Sequence, residues 1–248
     1  MSRLSYVVDG PPNAPTLLLG PSLGSTVAMW KPQVPALSRH LRVVRFDHRG
    51  HGGSPVLPEP CTVDDLGRDV LELMDHLGVA RGHYAGLSLG GMVGMWLAAH
   101  APERIDRLVL LCTGACLPPA QGWLDRAAAV RAAGMGAVAD AVLARWFTDG
   151  FTETAPYRQM LLATPVDGYA ACCEAIAGLD LRPVLGGIRS PTLVIAGELD
   201  PATPPELGRQ IAAAVPGARF VVVPGAAHLA NVERADVVTE LLASHLGE

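Results

Sequence analysis

A serine flanked by glycines constrains this chain more than any other sequence feature. The segment Gly86-Leu-Ser88-Leu-Gly90 follows an apolar run that starts near Arg81 and precedes a helix-like stretch that ends near Ala98. The two glycines predict a strand-to-helix turn that is too tight for a Cβ at either position. Such a turn would expose the Ser88 hydroxyl at a helix N-terminus, where free N–H groups can receive negative charge. Ser88 is therefore the candidate nucleophile.

The composition permits one large α/β domain of 248 residues. Half of the residues are apolar and 17% are charged, so disorder is not expected, and a net charge of −5 without a basic cluster argues against a nucleic acid partner. The five cysteines form neither a disulfide framework nor a zinc pattern, which favours a reducing, cytoplasmic location. The longest apolar stretch, 108–117, is too short for a bilayer, and no signal peptide is recognisable.

Apolar runs alternate with helical patterns along most of the chain. This alternation is typical of a mostly parallel central sheet with helices on both faces. Thr62 and Asp65 form a predicted capping box at the start of one helix, which Gly78 ends. In addition to the apolar run before Ser88, the predicted strands are Leu4–Val8, Thr16–Leu19, Leu41–Phe46, Arg107–Cys112, Thr192–Ala196 and Arg219–Val223.

The alternation stops between 117 and 183. This segment is Ala-rich, has a helical period and contains six aromatic residues. We interpret it as a helical cap inserted after the sixth strand of a core formed by 1–116 and 184–248. A cap that carries aromatic side chains over a polar floor would exclude water and select a substrate.

Two polar residues in late loops complete a catalytic pattern with Ser88. Asp200 follows one buried strand, and His228 is the only one of the eight histidines in a small-residue loop beyond the last strand. The order nucleophile, acid, histidine is that of the α/β-hydrolases, in which His228 would take the serine proton and Asp200 would orient the ring. Glu198 competes for the acid role, and Asp200 is preferred because it lies farther into the loop, before Pro201.

Two backbone N–H groups are candidates for an oxyanion hole. Leu89 follows the nucleophile, and Leu23 lies in the loop 20–25 after an early strand. A second glycine-rich loop, 47–54, contains two histidines. We interpret it as a rigid loop held by Arg49, because no Lys-Ser/Thr pair follows the glycines and no carboxylate repeats at ligand spacing.

Six short segments together match a family pattern. They are Ser22–Gly24 with Met29–Gln33, Arg45–Gly52, Gly86–Gly91, Ala144–Thr148, Gly168–Ala170 and Ala227–Glu233. On these segments the chain resembles the 3-oxoadipate enol-lactonases of the α/β-hydrolase superfamily over essentially its full length. The resemblance implies hydrolysis of 3-oxoadipate enol-lactone to 3-oxoadipate, in the protocatechuate branch of the β-ketoadipate pathway. It also implies an acyl-enzyme on Ser88 and no metal or organic cofactor.

The implied partner is a small anionic lactone, not a nucleic acid or a membrane. Since the lactone carries a carboxylate, a cation should meet it, and Arg145 is the candidate, with Trp146 as a wall of the pocket. Other cofactor-free hydrolases stay open, namely a carboxylesterase, a perhydrolase or a carbon–carbon bond hydrolase, as does a non-catalytic receptor. The sequence also leaves a homo-oligomer open.

Overall fold

A seven-stranded sheet organises the computed structural model, which describes residues 4–57 and 60–247. The strand order is β1-β3-β2-β4-β5-β6-β7, in which β1 pairs antiparallel with β3 and all other pairs are parallel. The strands are β1 Tyr6–Asp9, β2 Thr16–Gly20, β3 Arg42–Phe46, β4 Gly82–Leu87, β5 Ile105–Leu111, β6 Thr192–Gly197 and β7 Arg219–Val223.

Ten α-helices and two 3₁₀ turns, Val27–Trp30 and Arg182–Gly187, connect the strands within the described residues. No helix there is long and apolar enough to cross a bilayer. The helices are α1 Val34–Leu37, α2 Val63–His76, α3 Leu89–His100, α4 Ala120–Ala133, α5 Gly136–Trp146, α6 Ala155–Leu162, α7 Val166–Ala177, α8 Pro205–Ala214, α9 Ala230–Glu233 and α10 Ala235–Leu246.

The predicted strands are confirmed, with ends that differ by no more than two residues. The predicted capping box is also present at α2, where Thr62 Oγ1 accepts from Asp65 N at 3.2 Å and the Asp65 carboxylate accepts from Thr62 N at 3.0 Å. Gly78 follows α2 with φ +68°. The C-terminal helical segment is divided at Arg234, whose backbone (φ −128°, ψ 53°) leaves the helical region.

Helices cover both faces of the sheet. All six residues of β4 are buried, as in a central parallel strand. Helix α3 packs on β2, β4 and β5 and against α2, while α10 packs on β5 and against α1. The architecture is the predicted α/β sheet, and its carboxyl edge gathers the loops after β2, β3, β4, β6 and β7.

Four helices, α4 to α7, lie between β5 and β6, where the cap was predicted. The insertion follows the fifth described strand, so the prediction of a sixth was wrong. Strands β1 to β5 precede the insertion, and no further strand lies before it among the described residues. The boundaries of the cap at 117 and 183 stay a prediction.

Candidate active site

Ser88 lies in the turn between β4 and α3 with a strained backbone, φ 56° and ψ −113°. A Cβ on Gly86 would overlap the carbonyl of Gly90, which explains why this turn takes glycine. Ser88 N donates to Leu111 O at 2.9 Å, and Thr113 Oγ1 donates to Ser88 O at 2.7 Å. These bonds to the end of β5 hold the serine in its strained conformation.

Two amides beside Ser88 are available to a ligand. Leu89 N begins α3, and Leu23 lies in the loop after β2, where it lines the same cavity as Ser88. Within residues 4–57 and 60–247, neither Leu23 N nor Leu89 N donates a hydrogen bond to the protein. Free donors next to a nucleophile are what an oxyanion requires.

Two buried histidines hold the loop that carries Leu23. His51 Nε2 accepts from Gly24 N at 3.0 Å, and His48 Nε2 lies 3.1 Å from Pro21 O. Burial lowers the pKa of His51 to about 4, and burial together with the charge of His51 lowers the pKa of His48 to about 3. Both rings are therefore neutral near pH 7. Sequence reasoning did not assign them this role.

Arg49 fixes the histidine loop from the other side. Its Nε and Nη2 donate to the two carboxylate oxygens of Asp69 at 2.6 and 2.7 Å. A two-pronged bond between a guanidinium and a buried carboxylate sets both position and orientation. This geometry agrees with the interpretation of a rigid loop held by Arg49.

Asp200 and His228 form a buried pair at the ends of β6 and β7. His228 Nδ1 lies 2.8 Å from Asp200 Oδ2, which also accepts from Thr203 Oγ1 at 2.6 Å. Asp200 Oδ1 accepts from Ala202 N at 2.8 Å and Thr203 N at 3.0 Å. Burial alone would raise the pKa of Asp200, but the charge and hydrogen bond of His228 and the bonds from Thr203 outweigh it and lower the pKa. The carboxylate is ionised, and the ring keeps Nε2 for another partner.

Thr203 was not predicted as part of this site. The spacing Asp200-x-x-Thr203 is that of an Asp side chain that accepts from the backbone two and three residues later, a local turn that could have been recognised. Glu198 lies elsewhere: its carboxylate accepts from Gly225 N at 2.8 Å, and its side chain is exposed.

Ser88 and His228 line one cavity. The Ser88 hydroxyl forms no hydrogen bond to any residue in the described ranges, His228 included. A serine hydroxyl reorients about a single torsion, and contacts between a nucleophile and its base are often long in a ligand-free site. The hydroxyl is thus free to turn toward the ring or toward a bound ligand.

The His228 loop is bonded to the last turn of α5. His228 N donates to Arg145 O at 3.3 Å, and Leu229 N donates to Trp146 O at 2.9 Å. The side chains of Arg145 and Trp146 line the cavity that contains Ser88. One short segment of the cap therefore supports the histidine through its backbone and forms the cavity wall with its side chains.

Glu233 reinforces this junction. We call its hydrogen bonds to Ala227 and Thr148 the clasp. Its Oε2 accepts from Ala227 N at 2.8 Å, and its Oε1 accepts from Thr148 N at 3.1 Å and from the Thr148 hydroxyl. The carboxylate is buried and spans 85 residues of sequence between the cap and the His228 loop. Its bonding role was not assigned from the sequence, although Glu233 ends one of the six matching segments.

The cavity has a volume of 620 Å³ and lies between the sheet edge and the cap. Burial and the positive charge of Arg126 lower the pKa of Arg145, so two guanidiniums act on each other in one cavity. Arg126 was not predicted. The cap side chains that line this cavity include Trp123, Arg126, Arg145, Trp146 and Tyr169.

Comparisons with known proteins agree with this architecture. The family model of the alpha/beta hydrolase fold matches residues 15–235. A 3-oxoadipate enol-lactonase (enol-lactonase 2) of Acinetobacter baylyi is 38% identical over 236 residues, which cover 93% of this chain and 88% of that protein. The crystal structure of the enol-lactonase from Burkholderia xenovorans LB400 superposes with a TM-score of 0.95 at 46% identity, over 99% of this chain and 96% of that one. A malate-bound thermophilic esterase from Thermogutta terrifontis has a TM-score of 0.91 at 30% identity, over 97% and 92% of the two chains.

Proposed function

The chain belongs to the α/β-hydrolase fold family and, within it, to the family of the 3-oxoadipate enol-lactonases, and from this premise we propose that it hydrolyses 3-oxoadipate enol-lactone to 3-oxoadipate. One observation carries the proposal: a single cavity has Ser88 and His228 on its floor and, in its cap, two arginines that form no ion pair with any residue of 4–57 and 60–247. The floor suits acyl transfer, and the cap suits an anionic substrate.

Acylation uses the groups on the floor. Ser88 Oγ attacks the lactone carbonyl while His228 takes its proton, and Asp200 stabilises the imidazolium. The amides of Leu23 and Leu89 donate to the oxyanion. The bond from the carbonyl carbon to the ring oxygen then breaks, the electron pair leaves with the oxygen as an enolate, and His228 returns a proton. Because the broken bond belongs to a ring, the leaving group stays attached to the acyl group on Ser88.

Deacylation repeats these steps with water. His228 removes a proton from a water molecule, the resulting hydroxide attacks the ester carbon, and the second intermediate releases Ser88 and a dicarboxylate. An enolate leaves more readily than an alkoxide, which favours the ring opening that forms the acyl-enzyme. These steps use only groups of this chain and water.

The cap supplies the contacts that distinguish this substrate. Arg145 is proposed to bind the carboxylate of the lactone, with Trp146 as an apolar wall beside the ring. We place the activity in the β-ketoadipate pathway and in the cytoplasm, a setting with which the five free cysteines are compatible.

The decisive assay follows the loss of the conjugated enol-ester absorbance when purified protein is added to the enol-lactone. The proposal expects an acceleration of many orders of magnitude over spontaneous hydrolysis. No acceleration contradicts it. Faster turnover of a neutral p-nitrophenyl ester than of the lactone would instead identify a general carboxylesterase.

A further inference from the structure

The five arginines of the predicted cap fall into two groups. Neither Arg126 nor Arg145 has a carboxylate within 4.0 Å among the described residues, although both are partly buried and line the cavity. The other three lie outside that cavity and are ion-paired: Arg131 with Glu174, Arg158 with Asp140 and Arg182 with Asp180. The cap therefore pairs its outer arginines and leaves the two inner ones without a counter-charge.

Arg126 is held in position despite its lack of an ion pair. Its guanidinium carbon lies 4.5 Å from the ring centroid of Trp123, three residues earlier on α4. A guanidinium on an indole face is oriented and attracted by the ring, but its charge is not neutralised. A hydrogen bond to the Tyr169 hydroxyl uses one donor of Arg126, but this phenol is uncharged because burial raises its pKa, so the charge of Arg126 has no counter-charge among the described residues.

Two like charges in one cavity oppose each other. The charge of Arg126 adds to burial in lowering the pKa of Arg145. Partly buried charges without a counter-charge destabilise the folded protein. A ligand that supplies the missing negative charge would remove this cost, so two such arginines in one cavity indicate a binding site for an anion. A cavity with two such cations matches a ligand with two negative charges better than a ligand with one.

We infer that Arg126 is a second anion-binding residue and that Arg126 and Arg145 together hold a ligand whose two negative charges lie close together. The inference rests on the proposed function for the identity of this ligand. The lactone carries one carboxylate, and one arginine suffices for it. When the ring opens, the leaving oxygen becomes negative on a carbon that a single methylene separates from this carboxylate, as the name 3-oxoadipate states.

The second arginine therefore gains its partner during the reaction. An interaction that strengthens between the bound substrate and the transition state raises kcat, whereas one that is equally strong in both only lowers KM. Arg126 and Arg145 would thus bind the ring-opening state, with its adjacent enolate and carboxylate, more tightly than the intact lactone.

Malonate tests this inference without turnover, because it presents two carboxylates on either side of one methylene. Its monomethyl ester is the matched monoanion. Binding of both is measured by calorimetry to the Ser88→Ala protein. The inference expects malonate to bind about tenfold more tightly, which corresponds to about 1.4 kcal/mol. In the same background, Arg126→Met should abolish the preference and Arg126→Lys should keep most of it.

Arg131→Met is the control, since it removes an arginine from the same helix that is paired with Glu174, outside the cavity. It should leave the preference unchanged. Equal binding of the two ligands to the parent, no binding of either, or a preference that survives Arg126→Met overturns the inference. These outcomes are separate from the failure of the proposed function, which appears as wild-type protein that does not accelerate hydrolysis of the lactone.

Discussion

The floor and the cap of the cavity differ in how their polar groups are satisfied. On the floor, Asp200 accepts four hydrogen bonds, and neutral His48 and His51 bind the backbone of the loop that carries Leu23. In the cap, Arg126 and Arg145 have no counter-charge among the described residues. Among the described residues, the carboxylate and the supporting histidines of the floor have their partners before a ligand arrives, and only the Ser88 hydroxyl, His228 Nε2 and the two amides stay free for it, whereas the cap leaves two positive charges for a ligand to balance. In the proposed function, the floor therefore sets the type of reaction and the cap selects the substrate.

This difference predicts two kinds of variant. Changes on the floor should lower turnover of every ester, whether charged or neutral. Changes at the inner arginines should affect only esters that carry a carboxylate. The clasp joins the two regions, so its loss tests whether they depend on each other.

The largest effect is expected for Ser88→Ala, which removes the proposed nucleophile. We expect kcat to fall at least about 10⁴-fold on both the enol-lactone and a neutral p-nitrophenyl ester, with the melting temperature retained. Ser22→Ala, a second serine that lines the cavity, is the control and should lose little activity. A loss of only a few-fold in Ser88→Ala would reject the assigned role.

Asp200→Asn comes next, because an amide stabilises the wrong tautomer of His228 and cannot balance an imidazolium. We expect kcat to fall about 10³- to 10⁴-fold on both substrates with little change in KM. Glu198→Gln is the matched control and should retain activity, since the exposed Glu198 side chain accepts from Gly225 N, away from His228. The reverse result would move the acid role to Glu198.

Glu233→Gln breaks the clasp. An uncharged amide cannot accept all three hydrogen bonds that the carboxylate receives from Ala227 and Thr148. We expect a roughly tenfold lower kcat on both substrates, because the His228 loop loses part of its support. Glu240→Gln, an exposed carboxylate on α10, is the control. A loss confined to the charged lactone would assign Glu233 to the cap alone.

Arg145→Met separates the two regions most clearly. Removal of one guanidinium should raise KM for the enol-lactone about tenfold, in keeping with the loss of one charge-assisted contact. Steady-state kinetics on a neutral ester should stay unchanged, because its binding uses no anion site. An equal loss on both substrates would show that Arg145 acts only through the structure of α5.

Substitution of the floor histidines His48 and His51 is expected to change activity least. It should change the pH dependence of the free energy of unfolding clearly. Unfolded histidine binds a proton below about pH 6.5, whereas His48 and His51 do so only near pH 3 and 4 in the folded chain. The unfolded state therefore binds more protons, and the free energy of unfolding should fall as the pH drops from about 6.5 to about 4. In His51→Gln this dependence should be shallower by up to about 1.4 kcal/mol per pH unit. Denaturant titrations test this, with exposed His40→Gln as the control.

The fold was largely predictable because its signals are local. Apolar runs gave the strands, the glycines around Ser88 gave the sharp turn, and Thr62 with Asp65 gave the start of α2. The chain order Ser88, Asp200, His228 also placed these residues at one edge, since parallel strands end on the same side.

The unpredicted features depend on contacts between distant parts of the chain. Glu233 bonds to Thr148 across 85 residues, and His51 bonds to Gly24 across 27. Arg126 and Arg131 lie on the same helix, and no sequence signal distinguishes them. Only the packing of the cap decides which of them faces the cavity.

Direct detection of the acyl-enzyme tests the central claim. Wild-type protein mixed with the enol-lactone is quenched in acid within one turnover, and its intact mass and peptides are measured. We predict an increase equal to the whole mass of the lactone, because the leaving group stays attached, and we predict that the modified peptide contains Ser88. Turnover with no adduct during the reaction, or with an adduct on another residue, would contradict the account.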